Sequence, residues 1–297
     1  MIDLRALNTF LAVCREKSIS AAARYLHISQ PSVSVAITQL ESRLGTVLFE
    51  RARSGIRLTR TGDALLRRAQ AVQSILQDVE AEVALASDGM LGPLRVGGTP
   101  GALVSLLPDA VNAMERAPNR FRLHVFERSD LELMELLLKQ EIEIAFVTTG
   151  LDVPPEGIEE QSLARDPLNL MVGRAQDALP GEMSLREASA LRWVLPEADG
   201  AFRRQIDALF VTAEVSTPRD VVRCDSLPTT KAIVCGGSYV TILPRRVAHA
   251  ELSMGLLRAI RILDAEFSRT IGVRTRRGAS LSPLAAEFLK ALVALHP

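Results

Sequence analysis

Between Thr61 and Ser87 the apolar residues Leu65, Ala69, Val72, Leu76, Val79, Val83 and Ala86 recur at gaps that alternate strictly between four and three. Only an α-helix keeps residues so spaced on one side, and a seam held over three heptads demands a single long helix. Such a rod divides the chain into a part before it and a part after it. Two uses of the seam stay open. The helix either lies on its own domain or pairs with the same helix of a second copy. The narrow, strictly alternating face favours pairing, although the small Ala69 and Ala86 weaken it and call for further contacts.

The residues before the rod read as three short helices. Asp3–Lys17 places Leu4, Leu7, Leu11 and Cys14 on one face, and Ser20–His27 turns Ala22, Ala23 and Leu26 inward. The third lies in HISQPSVSVAITQLESRLG, residues 27–45. Ser29 caps it, Pro31 sits in the first turn where a missing N–H costs nothing, and Gly45 ends it. Val33, Ile37, Leu40 and Leu44 form its apolar stripe. The opposite face carries Ser32, Ser34, Val35 and Thr38, where a plain solvated helix would show Glu and Lys. A short, polar, uncharged face lets a backbone approach another surface closely. Three helices with a tight turn before the third make a helix-turn-helix, whose last helix enters the DNA major groove. There Gln30 pairs with adenine, the hydroxyls of Ser29, Ser32, Ser34 and Thr38 donate or accept, and Pro31 and Val35 meet thymine methyls.

The stretch 47–62, VLFERARSGIRLTRTG, docks Val47, Leu48 and Phe49 and then turns at Ser54-Gly55. It reads as a hairpin wing with Arg51, Arg53, Arg57 and Arg60 crowded on it, placed to clamp phosphates or reach a minor groove. Charge agrees. The chain is neutral overall, yet residues 1–70 hold eleven basic against five acidic side chains, and the rest holds 24 against 30. A basic head on an acidic body points to a polyanion partner.

Beyond a linker, Asp88-Gly89-Met90-Leu91-Gly92-Pro93, strands at Leu94–Val96, Arg120–Glu127, Glu141–Val147, Pro167–Gly173, Arg192–Leu195, Val221–Arg223, Tyr239–Leu243 and Phe267–Thr275 alternate with helices of about ten residues. That alternation implies α/β units with mostly parallel sheets. Ligands in such folds sit beyond the carboxyl ends of strands, at helix N-termini. Thr99 and Pro100, Ser129, Thr148 and Thr149, Phe202 and Ser226 occupy such places. Ser129 and Ser226 also read simply as helix caps. Converging helix N-termini suit an anion such as a carboxylate. Arg203 and Arg204 read as surface charge, so no arginine is clearly placed for it.

The four histidines are scattered, and no nucleophile elbow or phosphate loop occurs, so we expect neither a metal, a cofactor nor an enzyme. Three cysteines fit a reducing compartment. Cys14 reads as core, while Cys224 and Cys235 leave a redox sensor open. The apolar run Ala102–Leu107 is too short to span a bilayer, and the start of the chain shows no targeting pattern. We therefore expect a soluble, cytoplasmic protein with no membrane partner.

Three segments, LNTFLAV, SISAAARYLHISQPSVS and QLESRLGTVLFERARSGIRLTRTG, together resemble the LysR-type transcriptional regulators of bacteria. LRVGG…LLP, EIEIAFVTTG and GGSYVTILPR extend the resemblance along the body. It implies a multi-domain chain with an all-α winged helix-turn-helix N-terminal domain at 1–60 and a long linker and dimerisation helix at 61–91. An α/β periplasmic-binding-protein-like effector domain at 92–297 follows, with subdomain I about 92–163 and 268–297 and subdomain II about 164–267. It further implies a homodimer or homotetramer on double-stranded promoter DNA, bending an interrupted palindrome, with RNA polymerase as a partner. A small-molecule effector would bind near Thr99, Ser129, Thr148, Phe202 and Ser226. Val35 departs from the Arg or Gln common at its place, which leaves the operator sequence open. A constitutive architectural DNA-binding protein, or a solute-binding or catalytic protein using its head for assembly, are the competing readings.

Overall fold

The first helix, α1 (Leu4–Glu16), starts where the Asp3 carboxylate accepts from the Arg5 amide, and ends at Lys17 in the left-handed conformation. The Ser18 hydroxyl caps α2 (Ile19–Tyr25), and Ser29 caps α3 (Gln30–Leu44), which stops at Gly45 with φ +66°. This is a computed structural model, and it describes residues 2–52, 55–87, 90–115, 120–198, 200–265 and 268–296. Contacts divide it into a head unit, Met1–Asp88 with Lys139–Glu141, and a body unit of Gly89–Leu138 and Ile142–Pro297.

Leu7, Phe10, Val13, Ala22, Ala23, Val33, Ile37, Leu40 and Leu48 bury together in the head. Leu44 does not complete the expected stripe. It lies at the last turn, 37% exposed, where α3 has run past its neighbours. The wing is the hairpin β1 (Phe49–Ala52) and β2 (Gly55–Leu58), paired Phe49↔Leu58 through Ala52↔Gly55. The Glu41 carboxylate fixes its entry by accepting from the Leu48 and Phe49 amides at 2.8 and 3.3 Å. The rod, α4 (Arg60–Ser87), then begins against the wing. Its first turn needs Gly62, because a Cβ there would collide with the Leu48 carbonyl oxygen. Leu65 and Ala69 pack on the head's own core, whereas Val72, Leu76, Val79 and Val83 are exposed. Ala86 lies outside the described side chains.

The body alternates β3 (Met90–Gly98), α5 (Pro100–Glu115), β4 (Arg120–Glu127), α6 (Asp130–Leu138), β5 (Ile144–Thr149) and β6 (Ile158–Gly173). It continues with β7 (Glu182–Met183), α7 (Leu185–Ala188), β8 (Arg192–Leu195), α8 (Ala201–Thr212), β9 (Val221–Arg223) and α9 (Leu227–Gly236). It ends with β10 (Tyr239–Pro244), α10 (His249–Ser253), β11 (Leu257–Ile262), β12 (Ser268–Arg276) and α11 (Pro283–Leu295). One ladder path runs β4-β3-β5-β12-β6-β10-β8-β9, with β11 also on β6. The body's strand pairs are mixed: among the described residues five are parallel, β7–β11 included, and four antiparallel. Pairs among β3, β4 and β5 and among β8, β9 and β10 are parallel where known, but β5–β12, β12–β6, β6–β10 and β6–β11 are antiparallel.

The reason is the double crossing between subdomains. β6 pairs with β12 through its first half and with β10 through its second, so it leaves one subdomain and enters the other, and β12 brings the chain back. Each subdomain has its own core. Phe146 and Phe288 meet edge to face in the first, Trp193 and Phe210 in the second. Four stretches of strand escape the sequence reading: Met90–Gly92, taken as linker, the charged first half of β6, the short β7, and β11.

Candidate functional site

The head presents one face of α3. Gln30, Pro31, Ser32, Ser34, Val35 and Thr38 are all exposed, with Val35 at 54%. Ser29 is exposed too, but its hydroxyl accepts from the Ser32 amide and lies 2.8 Å from the Ser32 hydroxyl, so this pair shares its polar capacity. The Ser20 hydroxyl donates to Gln30 Oε1 at 3.2 Å. Bidentate pairing of Gln30 with adenine therefore requires that link to open, while the amide Nε2 can donate as it stands. Arg57 is exposed and registers directly opposite Glu50. The Arg51 side chain and Arg53 lie outside the described residues. Cys14, on α1, packs against the head's core. Burial, aided by the Asp63 charge, pushes its thiol up to about 12, which fits an inert core role.

The body contains a cavity of about 770 Å³ with walls from both subdomains. Thr99, Pro100, Ser129, Thr148 and Phe202 line it. Thr149 and Ser226 do not. Successive strand residues face opposite ways, so Thr149 turns from the cavity to within 2.8 Å of the Ser162 hydroxyl. The Ser226 hydroxyl accepts from the Thr229 amide and hydroxyl and caps α9. Ser129 lines the wall with its hydroxyl donating to Glu132 at 2.7 Å. That bond and the Ser129 amide hold the exposed Glu132 carboxyl below its ordinary range.

The wall is rich in charge, most of it matched. Arg204 of α8 reaches Asp152, in the loop after β5, at 2.6 Å and so spans the two subdomains. Arg203 binds Asp207 at 2.8 Å and the Pro196 carbonyl at 2.8 Å, and Arg274 binds Glu160 at 2.7 Å. Asp130, at the start of α6, is held above the ordinary aspartate range by burial, against the lowering influence of Arg274, Arg204 and the Ala201 amide.

The sequence reading missed Arg269 and Asp166, which meet at 3.1 Å beneath the cavity. A signal existed. Arg269 shares strand parity with buried Ile271 and Val273, and Asp166 shares it with buried Leu168 and Leu170, so each places a charge on an apolar face. Cys224 is on the cavity wall; Cys235 is not, and burial raises its thiol. Neither forms a disulfide. Among the described residues, no group of three or more His, Cys, Asp or Glu could hold a metal ion.

A winged helix-turn-helix carried on the same chain as a two-lobed α/β body with a ligand-sized cleft defines a DNA-binding regulator with a sensory domain. Residues 4–63 match the family described as "Bacterial regulatory helix-turn-helix protein, lysR family", and residues 87–296 match the "LysR substrate binding domain". The chain belongs to the LysR family of transcriptional regulators. It is 30% identical over 253 residues to the HTH-type transcriptional regulator ClcR of Pseudomonas putida, covering 83% of this chain and 84% of that one. The crystal structure of CbnR, a LysR family transcriptional regulator, is 26% identical with a TM-score of 0.57, covering 98% of this chain and all of that one. Full-length OxyR C199D from Pseudomonas aeruginosa shares the fold, with 21% identity, a TM-score of 0.68 and coverage of 98% and 95%.

Proposed function

We propose that this regulator reads operator DNA with the exposed face of α3 and gates that binding by a small molecule in the body cleft. The carrying observation is the face itself: six exposed residues from Gln30 to Thr38, none charged, beside an arginine-bearing wing. Gln30, Ser32, Ser34 and Thr38 meet base edges, Pro31 and Val35 meet methyl groups, and Ser29 holds the helix start. Arg51, Arg53 and Arg57 supply the sequence-independent attraction to phosphate. The exposed Val72, Leu76, Val79 and Val83 pair α4 with a second copy, and dimers of dimers span the two halves of an interrupted palindrome. Thr99, Pro100, Ser129, Thr148 and Phe202 contact the effector, with Thr149 and Ser226 supporting the wall. Ligand binding changes the population of subdomain arrangements and so repositions paired heads, altering RNA polymerase recruitment. We read the chain as a cytoplasmic, non-catalytic protein; among the described residues no helix is long and apolar enough to cross a membrane.

Selection of bound duplexes from a random pool by the full chain tests the DNA half. The wild type should enrich one dyad-symmetric sequence, and Ser34→Ala should relax preference at one base pair per half-site by about 1–3 kcal/mol. A pool that enriches nothing, or a Ser34→Ala profile identical to wild type, overturns the assigned orientation of α3.

A further inference from the structure

The helix before α3 reaches the first residue of the recognition face. Ser20, in the first turn of α2, donates its hydroxyl to Gln30 Oε1 at 3.2 Å across ten positions of chain. Both residues are exposed. Ser18, not Ser20, caps α2, its side chain accepting from the Ala21 amide at 3.3 Å. The Ser20 hydroxyl is therefore not spent on the end of its own helix.

A glutamine amide is planar, with its acceptor oxygen and donor nitrogen on separate arms of one carbon. Drawing Oε1 toward α2 turns Nε2 the other way, and among the described residues Nε2 has no acceptor. The neighbouring hydroxyls are engaged with each other: Ser29 and Ser32 lie 2.8 Å apart, and Ser29 also takes the Ser32 amide. The Nε2 hydrogens are thus the polar side-chain donors left free at the start of α3. Adenine's major-groove edge sets an acceptor, N7, beside a donor, N6, and a glutamine with both arms free matches it. Guanine's edge offers two acceptors, N7 and O6, whereas thymine offers one, O4, and cytosine only a donor. With Oε1 held by Ser20, the two Nε2 hydrogens match guanine and meet adenine N6 donor against donor.

We propose that Ser20 sets the base that Gln30 reads: it holds the amide as a donor, so that Gln30 selects guanine and rejects adenine. This rests on the reading that the α3 face meets base edges. Ser20 is a positioning residue and needs no contact with DNA. Its link restrains a side chain that otherwise has much rotamer freedom, so less freedom is lost on binding. Once DNA displaces water, opening the link would leave the Ser20 hydroxyl without a partner, which keeps it closed. Pairing with adenine belongs to the unrestrained side chain only.

The test is selection from a random duplex pool by the full chain and three variants. Gln30→Ala identifies the base pair, because preference should flatten there. At that pair the wild type should enrich G·C over A·T at least about fivefold. Ser20→Ala frees Oε1 and should raise the ratio of A·T to G·C there at least about fivefold, with the other positions unchanged. Alanine suits an exposed helical site, and undiminished binding to non-specific duplex shows that the head is folded. Ser20→Thr keeps the hydroxyl and should keep the wild-type profile. An A·T preference at this pair in the wild type, an unchanged profile in Ser20→Ala, or a Ser20→Thr profile like that of Ser20→Ala overturns the proposal. A Gln30→Ala profile identical to wild type overturns it as well. A wild type that enriches no sequence removes the reading of α3 and the proposal together.

Discussion

The recognition face of the head and the floor of the cleft differ in how far along the chain their parts are drawn. Every side chain of the α3 face lies between Ser29 and Thr38, on one helix whose cap, first-turn proline and terminal glycine are all local. The floor of the cleft joins Gly101 and Ser105 to Asp166 and Arg269, the ion-pair partners standing 103 positions apart in the chain. Polar groups on the face are exposed to water. Polar groups on the floor are buried and must be matched within the protein, so losing one partner exposes the full desolvation cost of the other.

That contrast is sharpest in Asp166→Ala. It leaves the Arg269 guanidinium buried without its carboxylate, and should cost about 3–5 kcal/mol of body stability. Trp193 is the only tryptophan and lies wholly buried in the second subdomain, so its fluorescence follows the body alone. Urea unfolding followed by fluorescence should shift to lower denaturant. An unshifted midpoint would mean that water already reaches the pair and that the floor is not the closed electrostatic unit described.

The mirror experiment is Leu40→Ala. Leu40 is 1% exposed among Phe10, Val33 and Ile37, and its truncation should cost about 2–5 kcal/mol in the head. The Trp193 transition should stay in place while far-ultraviolet circular dichroism loses helix at lower urea. A shared shift in both signals would show that the two units unfold as one and would break the comparison.

The same contrast explains what could be read from the sequence. Ser29, Pro31 and Gly45 announce α3 because capping and turn chemistry act within a few residues. The wing was equally legible, since its turn and arginines are contiguous. The cavity wall was legible where a residue follows a strand or opens a helix, as Thr99, Ser129, Thr148 and Phe202 do. Thr149 and Ser226 satisfy the same local rule yet face elsewhere, because side-chain direction depends on sheet register and cap geometry. The Asp166–Arg269 pair was missed because nothing local says that two charges on apolar strand faces lie opposite one another. The first half of β6, with Glu159 and Glu160 beside Gln161, carries no strand signal for a related reason: its charges are matched by Arg274 on β12 and by Arg277 just beyond it only after the strands pair.

The smallest effect expected concerns the wing. Arg57 sits on β2 opposite Glu50, on a head whose first 70 residues carry an excess of six positive charges. A single exposed phosphate contact contributes little to sequence preference, but it releases about one counterion on binding. Arg57→Ala should therefore lower operator affinity only severalfold, equally for matched and mismatched duplexes. The plot of log affinity against log salt should become shallower by about one unit. Anisotropy titrations between about 50 and 200 mM salt resolve that change. An unaltered slope would move the electrostatic contact off β2, leaving the α3 face to be steered by other arginines of the head. A slope change confined to the matched sequence would instead place Arg57 against a base edge. The wing would then share readout with α3, and the separation of charge from recognition within the head would fail.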